Sequence, residues 1–368
     1  MPAPKTILQI VPHLPGTLDG VGDYALNLAK ALAANHGIDT MFAVARGTSV
    51  ERKDGFPIVS GLEPASVEGL ARKCEHVILH YVNYGYQARG IPFHLRSFAR
   101  QLRERLRGRW VTNFHELYAS GPPWRSSFWL RPLQVKIARD LIDNSTSCFV
   151  SNAAIEEAIH AYDPWKKVHR VPVMSNFGEP ELDIVRDVSL KRWTICGGTV
   201  LIARSLALFE KIQPMIPDAF SPEHLDVIGG RNEISTRAVM DNLERQSPRL
   251  RCHYYPEVSA ELASELLRQS SFGWIDYFGG GKMWPGMILK STAFAALCAH
   301  GVIPVASHRE ETVAVNGDPL PGPYFVTSDA VNFPAPDQVH AIREKIYLWY
   351  QAHAASRQLA GIYAKALA

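Results

Sequence analysis

The stretch Ile7–Ala45, ILQIVPHLPGTLDGVGDYALNLAKALAANHGIDTMFAVA, decides the fold. It begins with a short apolar run, Ile7–Val11, and ends with a second one, Asp39–Ala45. Such runs are typical of buried strands. Between them, Asp23–Ala34 has the periodicity of an amphipathic helix. The order strand, helix, strand predicts two parallel strands joined by a helical crossover.

The same alternation continues along the 368 residues. Further strands are predicted at Pro57–Gly61, His76–Val82, Trp110–His115, Cys148–Asn152, Val168–Val173, Trp193–Gly197, Leu225–Ile228, Arg251–Tyr255, Phe272–Phe278 and Gly301–Ala306. Further helices are predicted at Phe93–Leu106, Leu130–Ile142, Ala203–Ile212, Thr236–Arg245, Ala260–Arg268 and Leu289–Ala299. Apolar strands that alternate with helices predict an α/β fold, in which helices cover both faces of parallel sheets.

The alternation breaks at Ser175–Lys191, where Asn, Gly, Pro and several acidic residues indicate a linker. We therefore predict two Rossmann-like, doubly wound parallel-sheet domains, 1–175 and 190–330. In such sheets ligands bind at the carboxyl ends of the strands, so we expect the site in a cleft between the domains. Residues 338–367 favour helix and have no strand to follow, and we expect them to pack across the domain junction.

Composition indicates an ordinary soluble protein, with 46% hydrophobic and 20% charged residues. The five cysteines are scattered, without C-x-x-C spacing, which indicates a reducing cytoplasm and no structural zinc. A net charge of +3 is too small to predict a nucleic-acid partner. Between Arg89 and Arg139, however, 11 basic residues face only 2 acidic ones. This excess predicts an anionic ligand or membrane surface, unless it is only a solvated helix face.

The first candidate motif is Gly20-Val21-Gly22-Asp23-Tyr24, between the first strand and the first helix. Two glycines allow a ligand to approach the backbone, and a helix start offers free N–H groups. With Ala25 the run imitates a dinucleotide fingerprint, but it begins nine residues beyond the strand. The alternative is a helix cap with a flexible loop.

Two polar clusters follow neighbouring strands. His80–Tyr86 ends the fourth strand, and Asn113–Glu116, which contains His115, ends the fifth. An α/β sheet presents ligand-binding groups at these ends. A lone histidine is more often structural, but two imidazoles that end adjacent strands favour a functional role.

The second domain carries a candidate diphosphate site. One loop follows the predicted strand Trp193–Gly197, and another precedes the predicted helix Leu289–Ala299. Both supply backbone N–H groups, hydroxyls and cations, which favour a bound anion. The residues assigned to this site are Gly198, Thr199, Arg204, Lys282, Lys290, Ser291 and Thr292. It is not a Walker P-loop, because that spacing is absent. The alternative is a flexible surface loop with solvated lysines.

Together these motifs resemble the GT-B glycosyltransferases, especially the large retaining nucleotide-sugar-dependent family (group 1, or family 4 like). The points of similarity are Gly20–Tyr24, His115, Gly197–Arg204, Leu225–Gly230 and Lys290–Val305. They are short but spread over nearly the whole chain, and they are more specific for the fold than for the reaction.

The resemblance implies a hexosyl transfer from a nucleotide-diphosphate sugar to a glycan or lipid-linked acceptor, with retention, in polysaccharide biosynthesis. It implies no metal and no cofactor beyond the donor substrate. His115, Arg204 and Lys290 would be catalytic: His115 contacts the donor sugar, and the two cations stabilise the leaving diphosphate. Residues around the sugar and acceptor would be Gly20, Gly22, Asp23, Glu116 and Trp124.

One departure from the family pattern keeps other functions open. The family usually has two glutamates seven residues apart, and here the second place is held by Ala296 while the first falls near Ile288. One alternative is a degenerate GT-B protein that binds a nucleotide sugar or glycan without turnover. A further alternative is an NADP-dependent oxidoreductase, with Arg46 on the 2′-phosphate.

The segment Phe93–Trp129 is the candidate acceptor-binding region. Its first part is a predicted helix with an apolar stripe between arginines, and Gly121–Trp129 is a predicted loop with three aromatic residues. Aromatic side chains beside arginines suit an anionic bilayer or a carbohydrate. We therefore expect a cytoplasmic protein with membrane association on the cytoplasmic face. The alternative is that the stripe covers the sheet and the loop only closes the cleft.

Overall fold

The computed structural model describes residues 5–15, 20–119, 121–182, 188–279, 285–306, 313–321, 324–325 and 333–368. The chain divides into two compact units. The first comprises Met1–Val171 and Ser356–Ala368, and the second comprises Pro172–Ala355.

The first unit is built on one eight-stranded sheet. Its strands are β1 (Lys5–Val11), β2 (Ile38–Val44), β3 (Arg52–Lys53), β4 (Phe56–Ser60), β5 (His76–Tyr81), β6 (Trp110–Phe114), β7 (Ser147–Val150) and β8 (Val168–Arg170). They lie in the order β3-β4-β2-β1-β5-β6-β7-β8, and every pair is parallel except β3–β4. The carboxyl ends of the seven parallel strands therefore share one edge of the sheet.

Helices cover both faces of this sheet. They are α1 (Gly20–His36), α2 (Val67–Lys73), α3 (Asn83–Tyr86), α4 (Phe93–Arg105), α5 (Ser126–Asn144), α6 (Ala153–His160) and α12 (Ser356–Leu367), with a 3-10 turn at Pro64–Ser66. On one face α12 packs beside α1, and on the other α4 lies between α2 and α5. Strand residues alternate between these two layers, so each strand is buried on both sides.

The second unit repeats the architecture around a six-stranded parallel sheet of order β11-β10-β9-β12-β13-β16. Its strands are β9 (Arg192–Gly197), β10 (His224–Gly229), β11 (Arg251–Tyr255), β12 (Phe272–Ile275), β13 (Ile303–Ala306) and β16 (Tyr324–Phe325), with a separate pair β14 (Ala314–Val315) and β15 (Asp318–Pro319). Its helices are α7 (Thr199–Ile212), α8 (Ile234–Gln246), α9 (Ala260–Arg268), α10 (Thr292–Ala299) and α11 (Val339–His353), with 3-10 turns at Gln213–Met215, Pro285–Lys290 and Pro336–Gln338.

The predicted α/β class and its parallel sheets are confirmed. Several predicted elements differ in their bounds. The helix expected from Asp23 begins at Gly20, and the loop expected up to Trp129 is helical from Ser126. The short helices α2, α3 and α6 were not predicted, because seven, four and eight residues give too little periodicity to detect.

The helix-prone C-terminal segment forms two helices. The first of them, α11, packs on α10 within the second unit, and the second, α12, packs on α1 within the first. A break at Ala354 and Ala355 separates them. The predicted packing of this segment across the domain junction stays a prediction. In the described part of the chain, every helix is too short or too polar to cross a membrane.

Candidate functional site

A line of polar side chains crosses the centre of the first sheet. Thr40 on β2, Gln9 on β1 and His80 on β5 are all buried, and His115 follows β6. The Gln9 amide donates to Thr40 Oγ1 at 3.4 Å, and Gln9 Oε1 lies 2.8 Å from His80 Nε2. His80 Nδ1 lies 3.3 Å from His115 Nε2. The two histidines that the sequence placed on adjacent strands are therefore in direct contact.

Tyr24 on α1 packs against both histidines of this pair. Its ring meets the His80 and His115 rings edge-on, with centroids 5.8 and 5.3 Å apart. Burial raises the pKa of Tyr24 to about 12, despite hydrogen bonds to Tyr363 and Asn113 that act in the opposite direction. The pKa of His80 is well below its ordinary value, first because of burial and then because of the neighbouring His115. His80 is thus a neutral imidazole at physiological pH, whereas His115 is half-buried.

The predicted sugar and acceptor residues lie at several positions in this unit. Gly20, Gly22 and Asp23 form the first turn of α1 instead of a preceding loop, and the Asp23 carboxylate suits the positive end of the helix. Glu116 is exposed beside His115. Trp124 is 84% exposed, ahead of α5.

In the second unit, the N-termini of two helices meet at the carboxyl end of β9. Gly198 caps α7 and Ser291 caps α10, where its hydroxyl accepts from the Phe294 N–H at 3.2 Å. A Cβ on Gly197 would lie 3.3 Å from Cβ of Ala293, in the first turn of α10. Thr292 is the first residue of that helix. The positive ends of both helix dipoles therefore converge, an arrangement that favours a bound anion.

Glycines also bring the neighbouring strand end close to this point. A Cβ on Gly229 would lie 2.7 Å from the Gly197 carbonyl oxygen, and Gly229 has a φ of +94°. The Thr199 hydroxyl accepts from the Arg231 N–H at 2.9 Å, which ties the loop after β10 to the start of α7. The Thr199 side chain therefore has a structural role, and its predicted contact with the nucleotide stays a prediction.

The predicted cations occupy different surroundings. Arg204 donates to the carbonyl oxygens of Asp276 and Tyr277, and its Nε lies 3.5 Å from Asp276 Oδ2. It thus holds the loop after β12, and 44% of its side chain remains exposed. Lys290 ends the 3-10 turn before α10 and is half-buried. Lys282 lies outside the described residues.

The positions where the family carries glutamates are part of the hydrophobic core. Ile288 and Ala296 are both fully buried. The Ala296 carbonyl accepts from His300 Nδ1 at 2.7 Å, and His300 Nε2 accepts from the Ser264 hydroxyl at 2.8 Å. A carboxylate at either position would lose its hydration. Among the described residues, no three His, Cys, Asp or Glu side chains are grouped so that they could hold a metal ion.

The two parts of the proposed acceptor segment differ. The apolar stripe of α4 faces the core, since Leu95, Phe98 and Leu102 are at most 1% exposed. The alternative that this stripe covers the sheet is therefore correct. Trp129 is 71% exposed, and its indole donates to the Pro123 carbonyl at 2.8 Å. Trp124, Arg125 and Trp129 are thus all exposed at the surface.

No protein-family model and no curated protein matches the sequence. Solved structures do match over nearly the whole chain. An alpha-glucosyltransferase in complex with UDP-glucose and DNA containing an abasic site has a TM-score of 0.65 and 12% identity, over 98% of this chain and 99% of that one. The chain has the GT-B fold.

Two further structures share this fold. WaaG, a glycosyltransferase involved in lipopolysaccharide biosynthesis, has a TM-score of 0.52 and 10% identity, over 96% of this chain and 95% of that one. The N-terminal domain of Candida albicans trehalose-6-phosphate phosphatase has a TM-score of 0.58 and 11% identity, over 98% and 96%. These structures have one fold but are named for different activities, so the fold alone does not establish the reaction of this chain.

Sequence reasoning missed three residues of the first unit's site. Gln9 lies inside an apolar strand, Tyr24 was noted only as part of the glycine motif, and Tyr363 lies in the last helix. A buried glutamine in a strand that is otherwise apolar was the one available signal. Which partners it has depends on the strand order.

Proposed function

We propose that this chain is a glycosyltransferase that moves a hexosyl group from a nucleotide-diphosphate sugar to a glycan or lipid-linked acceptor, with retention. The observation that carries the proposal is the meeting of the α7 and α10 N-termini at the end of β9 in the second unit. Backbone N–H groups and two helix dipoles at one point favour a bound diphosphate. Solved GT-B structures named as glycosyltransferases support the assignment.

The proposed reaction uses charges that the chain itself supplies. Arg204 and Lys290, with the two helix N-termini, stabilise the negative charge that develops on the leaving diphosphate. His115 contacts the donor sugar, and a leaving-group oxygen takes the proton of the acceptor hydroxyl. The C–O bond to the diphosphate breaks as the bond to the acceptor oxygen forms on the same face of the sugar. This scheme requires no metal ion.

The proposed acceptor is anionic or lipid-linked, because of the basic excess between Arg89 and Arg139 and the exposed Trp124 and Trp129. Peripheral contact with an anionic membrane on the cytoplasmic face belongs to the same proposal. Three alpha-glucosyltransferase structures among the neighbours were solved with DNA, so DNA has to be tested as a competing acceptor.

The buried Ile288 and Ala296 favour a second candidate, a GT-B protein that binds a nucleotide sugar without turnover. A panel of UDP, GDP, their sugar conjugates and NADP(H), scored by thermal shift and titration calorimetry, separates the possibilities. Donor hydrolysis and transfer are then measured with and without EDTA. Nucleotide binding followed by EDTA-resistant turnover supports the proposal, and binding without turnover supports the second candidate. A response to NADP(H) alone would indicate an oxidoreductase.

A further inference from the structure

The polar line through the first sheet has a regular geometry. It crosses four neighbouring strands, β2, β1, β5 and β6. From each strand to the next, the residue on the line is displaced by two positions toward the carboxyl end, relative to the residue directly paired with the previous one. Thr40 pairs with Ile7, and Gln9 is two residues on; Gln9 pairs with Ile78, and His80 is two residues on. Because side chains alternate, all of them point to the same face.

The hydrogen bonds along this line fix which nitrogen of each imidazole carries the proton. Gln9 donates its amide to Thr40, so its carbonyl oxygen faces His80 and can only accept. His80 Nε2 must therefore be the donor. A neutral imidazole that donates from Nε2 has a lone pair on Nδ1, so His115 must donate from its own Nε2 to His80.

We propose that Gln9 and His80 are positioning residues that hold His115 in one ring orientation and in the tautomer with its proton on Nε2. The ring orientation is also supported by Tyr24, which packs edge-on against both rings. The backbone N–H of His115 donates to the Tyr81 carbonyl at 3.0 Å, which holds the main chain at this position. Neutral His115 then carries its lone pair on Nδ1. The effect of this tautomer on catalysis, through the proposed contact of His115 with the donor sugar, rests on the proposed function.

The tautomers can be measured without any substrate. In full-length protein labelled with 15N-histidine, long-range 1H–15N spectra distinguish protonated from unprotonated ring nitrogens. We expect His80 to show Nε2–H with no titration between about pH 5 and 8, and neutral His115 to show Nε2–H as well. A proton on Nδ1 of neutral His115, or protonation of His80 in that range, would overturn the proposal.

Three variants then test whether the line sets the tautomer. His80→Phe keeps a ring but removes both nitrogens, and we expect His115 to become a mixture of tautomers. His80→Asn keeps an acceptor near the position of Nδ1, and it should restore the Nε2–H form. His169→Phe is the matched control, because His169 is a half-buried imidazole on β8 that stacks on Phe149 outside the line. An unchanged His115 tautomer in folded His80→Phe would also overturn the proposal.

Activity supplies the second readout. With whichever donor the panel identifies, His80→Phe should lower kcat roughly 10- to 100-fold, as expected for a misplaced catalytic group, with little change in donor KM. His80→Asn should recover most of the loss, and His169→Phe should behave as wild type. Equal losses in His80→Phe and His80→Asn would reduce His80 to a packing role. If no donor is turned over, the proposed function fails, while the spectra still decide the tautomer.

Discussion

The phenol oxygens of Tyr24 and Tyr363 lie 3.3 Å apart inside the first unit, although 339 positions separate them in the chain. Tyr363 also stacks on Phe149 of β7, with ring centroids 3.9 Å apart. The last helix of the chain therefore completes the layer over the sheet face that carries His80 and His115. The histidine site depends on the C-terminus as well as on the N-terminal strands.

Replacing Tyr363 tests this dependence. Tyr363→Ala should lower the free energy of unfolding of the first unit by roughly 3 to 5 kcal/mol, because it removes a fully buried ring and leaves a cavity. Tyr363→Phe, the matched control, should lose only about 1 kcal/mol, the value of one hydrogen bond. Urea unfolding followed by fluorescence measures both. Equal effects of the two substitutions would mean that the ring contributes no packing energy.

Lys290→Ala should weaken nucleotide-diphosphate binding by roughly 1.5 to 3 kcal/mol, the worth of a charge-assisted contact. The reason is that Lys290 lies directly before the N-terminal cap of α10. Calorimetric titration with UDP and GDP provides the measurement. Lys211→Ala, in the last turn of α7, is the control and should bind as wild type does. Unchanged affinity in the Lys290 variant would remove this lysine from the site.

His115→Ala should lower turnover more than it weakens nucleotide binding. His115 belongs to the first unit, whereas the proposed diphosphate residues belong to the second. Steady-state kinetics and titration of the same variant separate the two effects. His94→Ala, an exposed imidazole on α4, is the control. Normal turnover in a folded His115→Ala protein would leave His115 with a structural role alone.

His300 should make stability depend on pH. Burial lowers its pKa from 6.5 to about 4, so between these values the unfolded chain binds more protons than the folded one. Stability therefore rises with pH across this window and is lost as pH falls through it. The full difference is roughly 3 kcal/mol.

Urea unfolding at several pH values between about 4 and 7 measures this dependence. His300→Gln cannot titrate, and its stability should change less with pH than that of wild type. His340→Gln, on the exposed side of α11, should retain the wild-type slope. Parallel profiles for wild type and His300→Gln would refute the assignment.

Trp124 and Trp129 should bind the acceptor or an anionic membrane. Wild-type protein should sediment with vesicles that contain anionic lipid at low salt and remain in solution at high salt, because salt screens the contribution of the flanking arginines. Trp124→Ala combined with Trp129→Ala should abolish sedimentation. Trp165→Ala is the control, since Trp165 is 94% exposed between α6 and β8.

Wild-type protein that stays in the supernatant at low salt would exclude the membrane. In that case the double variant is tested with glycan and DNA acceptors, and full activity would exclude the tryptophan pair from acceptor recognition. A loss on DNA alone would contradict the expectation that nucleic acid is not a partner.

Local pattern was sufficient to predict the α/β class and most of the strands. Arg251–Tyr255 and Ala260–Arg268 have the predicted bounds, because turn residues and a capping serine flank strong periodicity. Helix starts were placed too late at Gly20 and Ser126, since the first turn of a helix needs no apolar residue. The histidines could be proposed as neighbours because strands joined by a single crossover usually lie side by side.

The partners of those histidines required three-dimensional information. Gln9 reaches His80 because β1 lies between β2 and β5, and Tyr363 reaches Tyr24 because the last helix returns to the first unit. The sequence also could not show whether the apolar stripe of α4 faces outward or inward, because the same amphipathic pattern fits a membrane surface and a protein core. Periodicity describes contacts within a few residues of each other. Contacts across 71 or 339 positions depend instead on strand order and helix packing.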